Sequence, residues 1–334
     1  MKAVKWGMVM AWVLGMLVAG EVKAGSLSPT NAPGPTMHTL EEIYQKLLGS
    51  DQKLLSLQQR QAALESQLSP AGMVLIPAGV NTGTDPDSGV YSLTNETAFY
   101  MDKYEVTKAQ WDAVRTWGLA NGYTDLATGA GKAANHPVQI VNWYNCVTWC
   151  NARSEKEGRE AAYYTDAGYT SVYKTGTVSG VIAPYLKGAA RGYRLPTDAQ
   201  WEYAARGGAT SHRFPWSDSD EIQHARANYN SSVSYAFDTS PTRGYHTSYT
   251  NALLPYTSPA GAFAPNGYGL YDMTGNVWEW CFDWYPGFEG SYRVLRGGSW
   301  SYRAYYCRVG YRFVSYPGIA DYDVGFRAAL PPGQ

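Results

Sequence analysis

The sequence predicts a compact, loop-rich domain that mixes short strands and helices, preceded by a coiled-coil helix. Three observations carry that expectation. Rings and glycine are abundant, with 12 Trp and 28 Tyr against 8 Phe, and 35 Gly. Such a make-up suits a compact, loop-rich domain whose turns need glycine and whose core is built on large aromatic side chains. Short apolar runs ended by Pro or Gly occur beside capped amphipathic segments, so strand and helix signals share one chain. Between Leu40 and Leu68 apolar residues recur at heptad spacing, the pattern of a coiled coil.

In chain order, residues 1–24 read as a secretory signal. Lys2 and Lys5 make a basic start, Trp6 to Ala19 is an apolar run too short to span a bilayer comfortably, and an A-x-A-like site precedes Gly25. No cysteine lies near that site, so lipid attachment is not expected. The mature protein is expected to begin near Gly25, with no membrane span, and to be secreted, periplasmic or held at the cell surface. Residues 25–37, with Pro, Ser, Asn and Gly, read as a linker. Residues 38–70 carry the heptad seam Leu40, Ile43, Leu47, Ser50, Leu54, Leu57, Gln61, Leu64 and Leu68, and Pro70 stops it. Such a seam predicts a homo-oligomer, with Ser50 and Gln61 weakening it while helping to set register. The alternative is one amphipathic helix lying on its own domain, with a break at Gly49-Ser50.

The globular part, residues 71–334, opens with the apolar strand Met73 to Ile76, ended by Pro77 and Gly79. A second strand is expected over Ala98 to Thr107. Thr107 then caps a helix from Lys108 to Trp117. Asn142 opens another helix, on which Trp143, Cys146, Val147 and Cys150 share a buried face. Residues 158–192 read as loops or a small hairpin. Thr197 caps a third helix, with Gln200 at the capping-box position and Gly207-Gly208 ending it. Ser211 to Ala264 shows little regular pattern, and so long a loop inside a domain is usually functional or braced by a metal.

The last stretch is the most unusual. Val294 to Trp300 and Val324 to Arg327 bracket residues 301–323, which follow neither helical nor strand periodicity. Six of those residues are tyrosine: Tyr302, Tyr305, Tyr306, Tyr311, Tyr316 and Tyr322. Tyr with Ser and Gly is what antibody paratopes use, giving rigid contact area at low entropy cost plus adaptable hydrogen bonds. The net charge is −1 and no Lys/Arg-rich run exists, which argues against a nucleic-acid partner. The four cysteines, Cys146, Cys150, Cys281 and Cys307, allow three full pairings if the chain is exported.

Several of these stretches together resemble the formylglycine-generating enzyme family, also called the sulfatase-modifying-factor family. They are Met73–Gly79, Asp102–Trp111, Pro137–Asn142, Arg194–Gly208 (RLPTDAQWEYAARGG), Asn266–Trp280 (NGYGLYDMTGNVWEW), Arg296–Trp300 and Gly325–Arg327. The resemblance covers roughly residues 71–330 and implies a C-type-lectin-like α+β fold. It also implies structural calcium, with the Gly275 and Val277 carbonyls and the Glu279 carboxylate as one site and Asn228 beginning a second. Oxidising members bind copper(I) with two cysteines five apart after the GGS segment, soft ligands for a soft ion. On that pattern Tyr302 takes the first position and Cys307 the second, so one thiolate is missing and copper is not expected. A related branch needs clustered histidines, and His38, His136, His212, His224 and His246 lack that spacing.

The same scaffold resembles the variable proteins of diversity-generating retroelements, whose diversified segment is framed as this one is by RVLRGGSW and GFR. That likeness implies contact residues Ser301, Tyr302, Tyr305, Tyr306, Tyr311, Phe313, Tyr316, Asp321, Tyr322 and Asp323, within a framework of Arg303, Cys307, Arg308, Arg312 and Pro317. The expected function is that of an exported, non-catalytic protein binding a protein or glycan ligand. The alternatives are an oxidase of the formylglycine-generating type, with Cys307 as its thiol, and an envelope protein assembled through residues 38–70.

Overall fold

The computed structural model describes residues 45–46, 48–50, 52–53, 70–178, 184–250 and 253–332. The signal, the linker and most of the heptad segment lie outside them. The chain divides into two compact units, residues 1–62 and 63–334. In the first, the described residues are helical and exposed, and helix continues through Gly49 and Ser50. The Ser50 hydroxyl donates to the Lys46 carbonyl, 2.9 Å away. Among the described residues no helix is long and apolar enough to cross a membrane.

In the second unit the strands are β1 (Met73–Ile76), β2 (Gly79–Asp85), β3 (Gly89–Asn95), β4 (Phe99–Asp102), β5 (Tyr163–Tyr164), β6 (Tyr185–Leu186), β7 (Trp278–Trp284), β8 (Arg293–Arg296), β9 (Phe313–Ser315), β10 (Val324–Gly325) and β11 (Ala329–Leu330). The helices are α1 (Lys108–Ala120), α2 (Trp143–Lys156) and α3 (Asp198–Arg206). One sheet runs β1-β4-β11 and a second runs β10-β7-β8-β9, while β2–β3 and β5–β6 are separate pairs. All pairings are antiparallel except β10 with β7.

Each helix begins where its cap residue predicts. Thr107 and Gln110 form a reciprocal capping box on α1, Asn142 and Asn145 on α2, Thr197 and Gln200 on α3. Each box satisfies two otherwise orphaned N–H groups. Helix α3 ends at Gly207 in the left-handed conformation, φ 56°, which costs glycine nothing. Helix α1 runs three residues beyond the expected Trp117, and the second expected strand stops at Asp102. The β2–β3 hairpin forms where no strand is expected. Between Arg206 and Trp278 no described residue joins a helix or strand, as the pattern over 211–264 predicts.

The core is tryptophan-built. Trp111 and Trp149 stack 5.9 Å apart, and Phe326 meets both edge-on, the offset geometry that ring quadrupoles favour. Two buried indole N–H groups have backbone acceptors across the core: Trp143 donates to the Cys281 carbonyl and Trp280 to that of Val141. These bonds tie α2 to β7, and so fix the sheet from which the Tyr-rich segment departs.

Candidate functional site

The Tyr-rich segment leaves β8 through Gly297-Gly298-Ser299. Both glycines have positive φ, 93° and 77°. A Cβ on Gly298 would lie 2.5 Å from the Cys307 sulfur and 2.8 Å from its Cα. Only glycine lets the two backbones come so close. Cys307 therefore closes the turn by packing on it. The segment continues through a 3-10 turn at Ala304–Cys307, returns along the edge strand β9 and re-enters the sheet at β10.

A buried ion network holds the return limb. Arg296 is fully buried. Its guanidinium donates to Asp198 and Glu202 of α3 and to the carbonyls of Val309 (3.0 Å) and Tyr311 (3.1 Å). Glu202 also accepts from Arg206, which reaches Asp85 on β2. Arg312 pairs with the other Asp198 oxygen. Arg308 donates to the Tyr305 carbonyl and pairs with Asp87 at 2.8 Å. Burial works against the charged form of Asp87, but the bonds from Arg308 and Arg213 prevail and lower its pKa.

On this frame the rings interlock. Tyr302, Tyr305, Tyr306 and Tyr311 meet edge to face at 5.2–5.4 Å in four pairs. Tyr302 and Phe313 also lean on the buried Trp278. All five are half-buried, one side against the body and the other toward solvent. Tyr316 and Tyr322 stand further out, 55% and 47% exposed. The Tyr316 phenol is hydrogen-bonded to that of Tyr292 at 2.7 Å, and Tyr322 leans on Trp300. Burial, then the Asp323 and Asp321 carboxylates, push the Tyr302 phenol up to about 12. It therefore remains a neutral donor in ordinary conditions.

Some expected positions differ in exposure from the role assigned to them. Asp323 is only 5% exposed and accepts from the Ser299 and Ser301 hydroxyls at 2.7 and 2.6 Å. It supports the face from below and is no contact residue. Those bonds also draw Ser301 partly inward. Arg303 and Arg312, expected as framework, are exposed, whereas Cys307, Arg308 and Pro317 are buried. Asp321 stays at the surface, its carbonyl accepting from the Ile140 N–H. An aromatic groove of about 370 Å³ adjoins the face, where Tyr285, Phe288 and Tyr292 of the β7–β8 connection oppose Tyr311 to Val314. The sequence signal for it is the ring density around the Pro286-Gly287 turn.

Two of the expected calcium ligands, Glu279 and Asn228, are engaged within the chain. Both Glu279 oxygens are occupied, by the Arg327 guanidinium at 2.7 Å twice and by the Trp201 indole N–H at 2.7 Å. A carboxylate neutralised in this way offers a hard divalent ion little. The Asn228 side-chain amide donates to the Tyr256 carbonyl, and its backbone carbonyl accepts the Asn276 N–H. The Glu105 carboxylate accepts from the Val277 N–H and the Asn276 amide. Burial, then Asp272 and Glu279, hold Glu105 well above the usual carboxylate range. Among the described residues no three His, Cys, Asp or Glu side chains gather to hold a metal.

The four cysteines are unpaired and buried, so none of the three possible pairings is formed. Cys307 packs with Phe214, Tyr229 and Ala304, and Cys281 belongs to a different core cluster. Burial pushes the Cys307 thiol far up, away from the thiolate form.

A family model described as the sulfatase-modifying factor enzyme 1-like domain matches residues 58–331. The chain is 34% identical over 244 residues to the chaperone protein LppX of Paenibacillus barcinonensis, covering 69% of this chain and 78% of that protein. It is 31% identical over 304 residues to the formylglycine-generating enzyme of Thermomonospora curvata, covering 78% and 94%. Among solved structures, Treponema denticola variable protein 1 aligns with a TM-score of 0.58 at 30% identity, over 78% of this chain and 95% of that one.

Proposed function

This chain belongs to the sulfatase-modifying factor enzyme 1-like family, and we propose that it uses the family's α+β, C-type-lectin-like scaffold to bind and not to catalyse. In this reading it is exported and presents the face from Ser301 to Tyr322 to a protein or glycan ligand. The observation that carries the proposal is the state of the two positions where the oxidising relatives place thiols. Tyr302 fills the first and is locked edge-on against Trp278 and Tyr306. Cys307 fills the second as a buried, neutral thiol pressed against Gly298. A phenol cannot complete a two-sulfur copper(I) site.

The face itself supports the binding role. Half-buried rings are already ordered, so little entropy is lost when a ligand covers them. Their hydroxyls and the Ser, Asp and Arg side chains around them supply directional bonds. The likeness to the Treponema denticola variable protein is in keeping with a binding role for this scaffold.

One experiment separates binding from oxidation. The immobilised protein is titrated with copper(I) and screened against arrays of glycans and surface proteins. The expected result is no stoichiometric copper and selective capture of a ligand. That capture should weaken by roughly tenfold or more in Tyr305→Ser or Tyr322→Ser, as for anchor rings at interfaces. One tightly held copper, or capture unchanged by both substitutions, would reject the proposal.

A further inference from the structure

Residues 222–250 back the contact face from outside the Tyr-rich segment. The Asn230 N–H donates to the Tyr302 carbonyl at 2.9 Å. The Tyr235 ring stacks on that of Tyr305 at 5.6 Å, and Tyr245 leans on Trp300, which meets Tyr322. Two histidines hold this stretch in place. His224 Nε2–H donates to the Tyr229 carbonyl at 3.1 Å, and Thr242 bonds its Nδ1 at 2.7 Å. The Tyr229 carbonyl and the Asn230 N–H are the two ends of one planar peptide unit. His224 therefore grips one end of that unit and Tyr302 the other.

His246 Nε2–H donates to the His224 carbonyl at 2.8 Å, and its Nδ1 accepts the Ser248 N–H at 3.3 Å. A carbonyl takes its proton and an N–H takes its lone pair, so this geometry suits only the neutral ring. A proton on Nδ1 would face the Ser248 N–H and break that bond. The two rings lie 4.8 Å apart, and His224 is only 6% exposed. The carboxylate that acts on His224, Asp238, is already spent on Arg243 and on the Tyr229 and Ser231 hydroxyls. Beyond Tyr229 lies the neutral Cys307 thiol. Around His246 stand the Tyr249 and Phe263 rings. Lys132, between α1 and α2, donates to the Tyr249 carbonyl at 2.7 Å, and Asp272 acts on the Tyr249 phenol. Burial, then the neighbouring His246, lowers the pKa of His224, and burial lowers that of His246.

We propose that His224 and His246 form a proton-operated latch, which holds Tyr302 and Tyr305 in the contact face at neutral pH and releases them in mild acid. Its consequence for binding rests on that face being the contact surface. When the stretch lifts away, both rings enter water and regain their ordinary affinity for protons. Lowered imidazoles thus support the closed form fully above about pH 6.5 and progressively less below it. Opening grows by at most roughly thirtyfold for each histidine between about pH 7.5 and about pH 5. Glu105 and Asp272 act on the whole domain in the opposite direction, since the fold raises their pKa values. A local rise in opening in acid therefore cannot come from them.

The test is amide hydrogen exchange of the full chain, read at Asn230 and corrected for the intrinsic rate. Opening at Asn230 should rise by roughly tenfold or more from about pH 7.5 to about pH 5, while the amides of β7 stay protected. With His224→Gln and His246→Gln together, the side-chain amides can donate to the same carbonyls but take up no proton, and protection should be equal at both pH values. His246→Gln alone, at the half-buried ring, should remove about half of the response on a logarithmic scale. A parent chain with no rise in acid overturns the latch, whether or not the variants fold. So does an acid response that persists undiminished in either variant. No ligand enters these readouts, so the latch and the contact role of the face stand or fall separately.

Discussion

Arg327→Met is expected to unfold the domain at neutral pH. Arg327 is fully buried, and it is bonded to both Glu279 oxygens and to the carbonyls of Asp102, Lys103 and Tyr271. Three carboxylates, Glu105, Asp272 and Glu279, interact with this one guanidinium. Removing it strands buried negative charge, which costs roughly 3–5 kcal/mol for one broken pair. That is a large share of a typical domain's stability. Replacing both members, Arg327→Met with Glu279→Gln, should recover part of the loss, and a double-mutant cycle in urea measures the coupling.

The pH dependence has a definite sign. Burial raises the Asp272 carboxyl to about 6, and Glu105 is raised as well. The folded state therefore holds protons that the unfolded chain releases. Stability from these groups is complete below the ordinary carboxylate range and is lost as pH rises toward about 6 and beyond. Arg327→Met should steepen that loss, so the variant should fold better near pH 4 than near pH 8. A variant equally stable at both would mean that the buried carboxylates find another counter-charge.

The second large effect is expected at Arg296. Its replacement by Met removes the donors to Asp198 and Glu202 and to the Val309 and Tyr311 carbonyls together. The expected cost is again roughly 3–5 kcal/mol, since both acceptor sets are buried. Arg296→Lys should restore only a minor part, because an ammonium cannot supply a planar fork to four acceptors. The same change should loosen residues 309–312 and weaken ligand capture even under conditions where the protein stays folded. A Lys variant as stable as the parent would mean that charge alone, and not the fork, anchors this limb.

Local chemistry makes the helices legible in the sequence. Thr107, Asn142 and Thr197 each announce a helix through the side-chain oxygen that caps it, and Gly207 announces an end. Strand β7 is harder to see, because Trp278 to Cys281 are buried throughout and give no alternation. The β2–β3 hairpin escapes notice although Asp85-Pro86-Asp87-Ser88-Gly89 is a turn sequence; its strands are mostly polar and exposed. The exposure of Tyr316 and Tyr322, against the half-burial of Tyr302, Tyr305, Tyr306 and Tyr311, has no counterpart in the composition of the segment. Nor has the burial of Asp323, since it depends on Ser299 and Ser301, more than 20 residues away. The ion pairs that matter most join Arg296 to Asp198 and Arg206 to Asp85, across 98 and 121 residues. No spacing rule reaches that far. Nor does any local pattern reveal that Arg327 takes the carboxylate expected to hold calcium.

The division between frame and face is tested most directly by a library. Positions 302, 305, 306, 311, 316 and 322 are varied among Tyr, Ser, Asp and Phe, while Arg296, Arg308, Asp323 and Arg327 are kept, and the members are sorted for folding and for binding. If the face only rests on the frame, most members remain folded, with melting temperatures a few degrees from the parent, and different members capture different ligands. If members fold only when the parental tyrosines are retained, those rings are part of the core and the contact face does not exist.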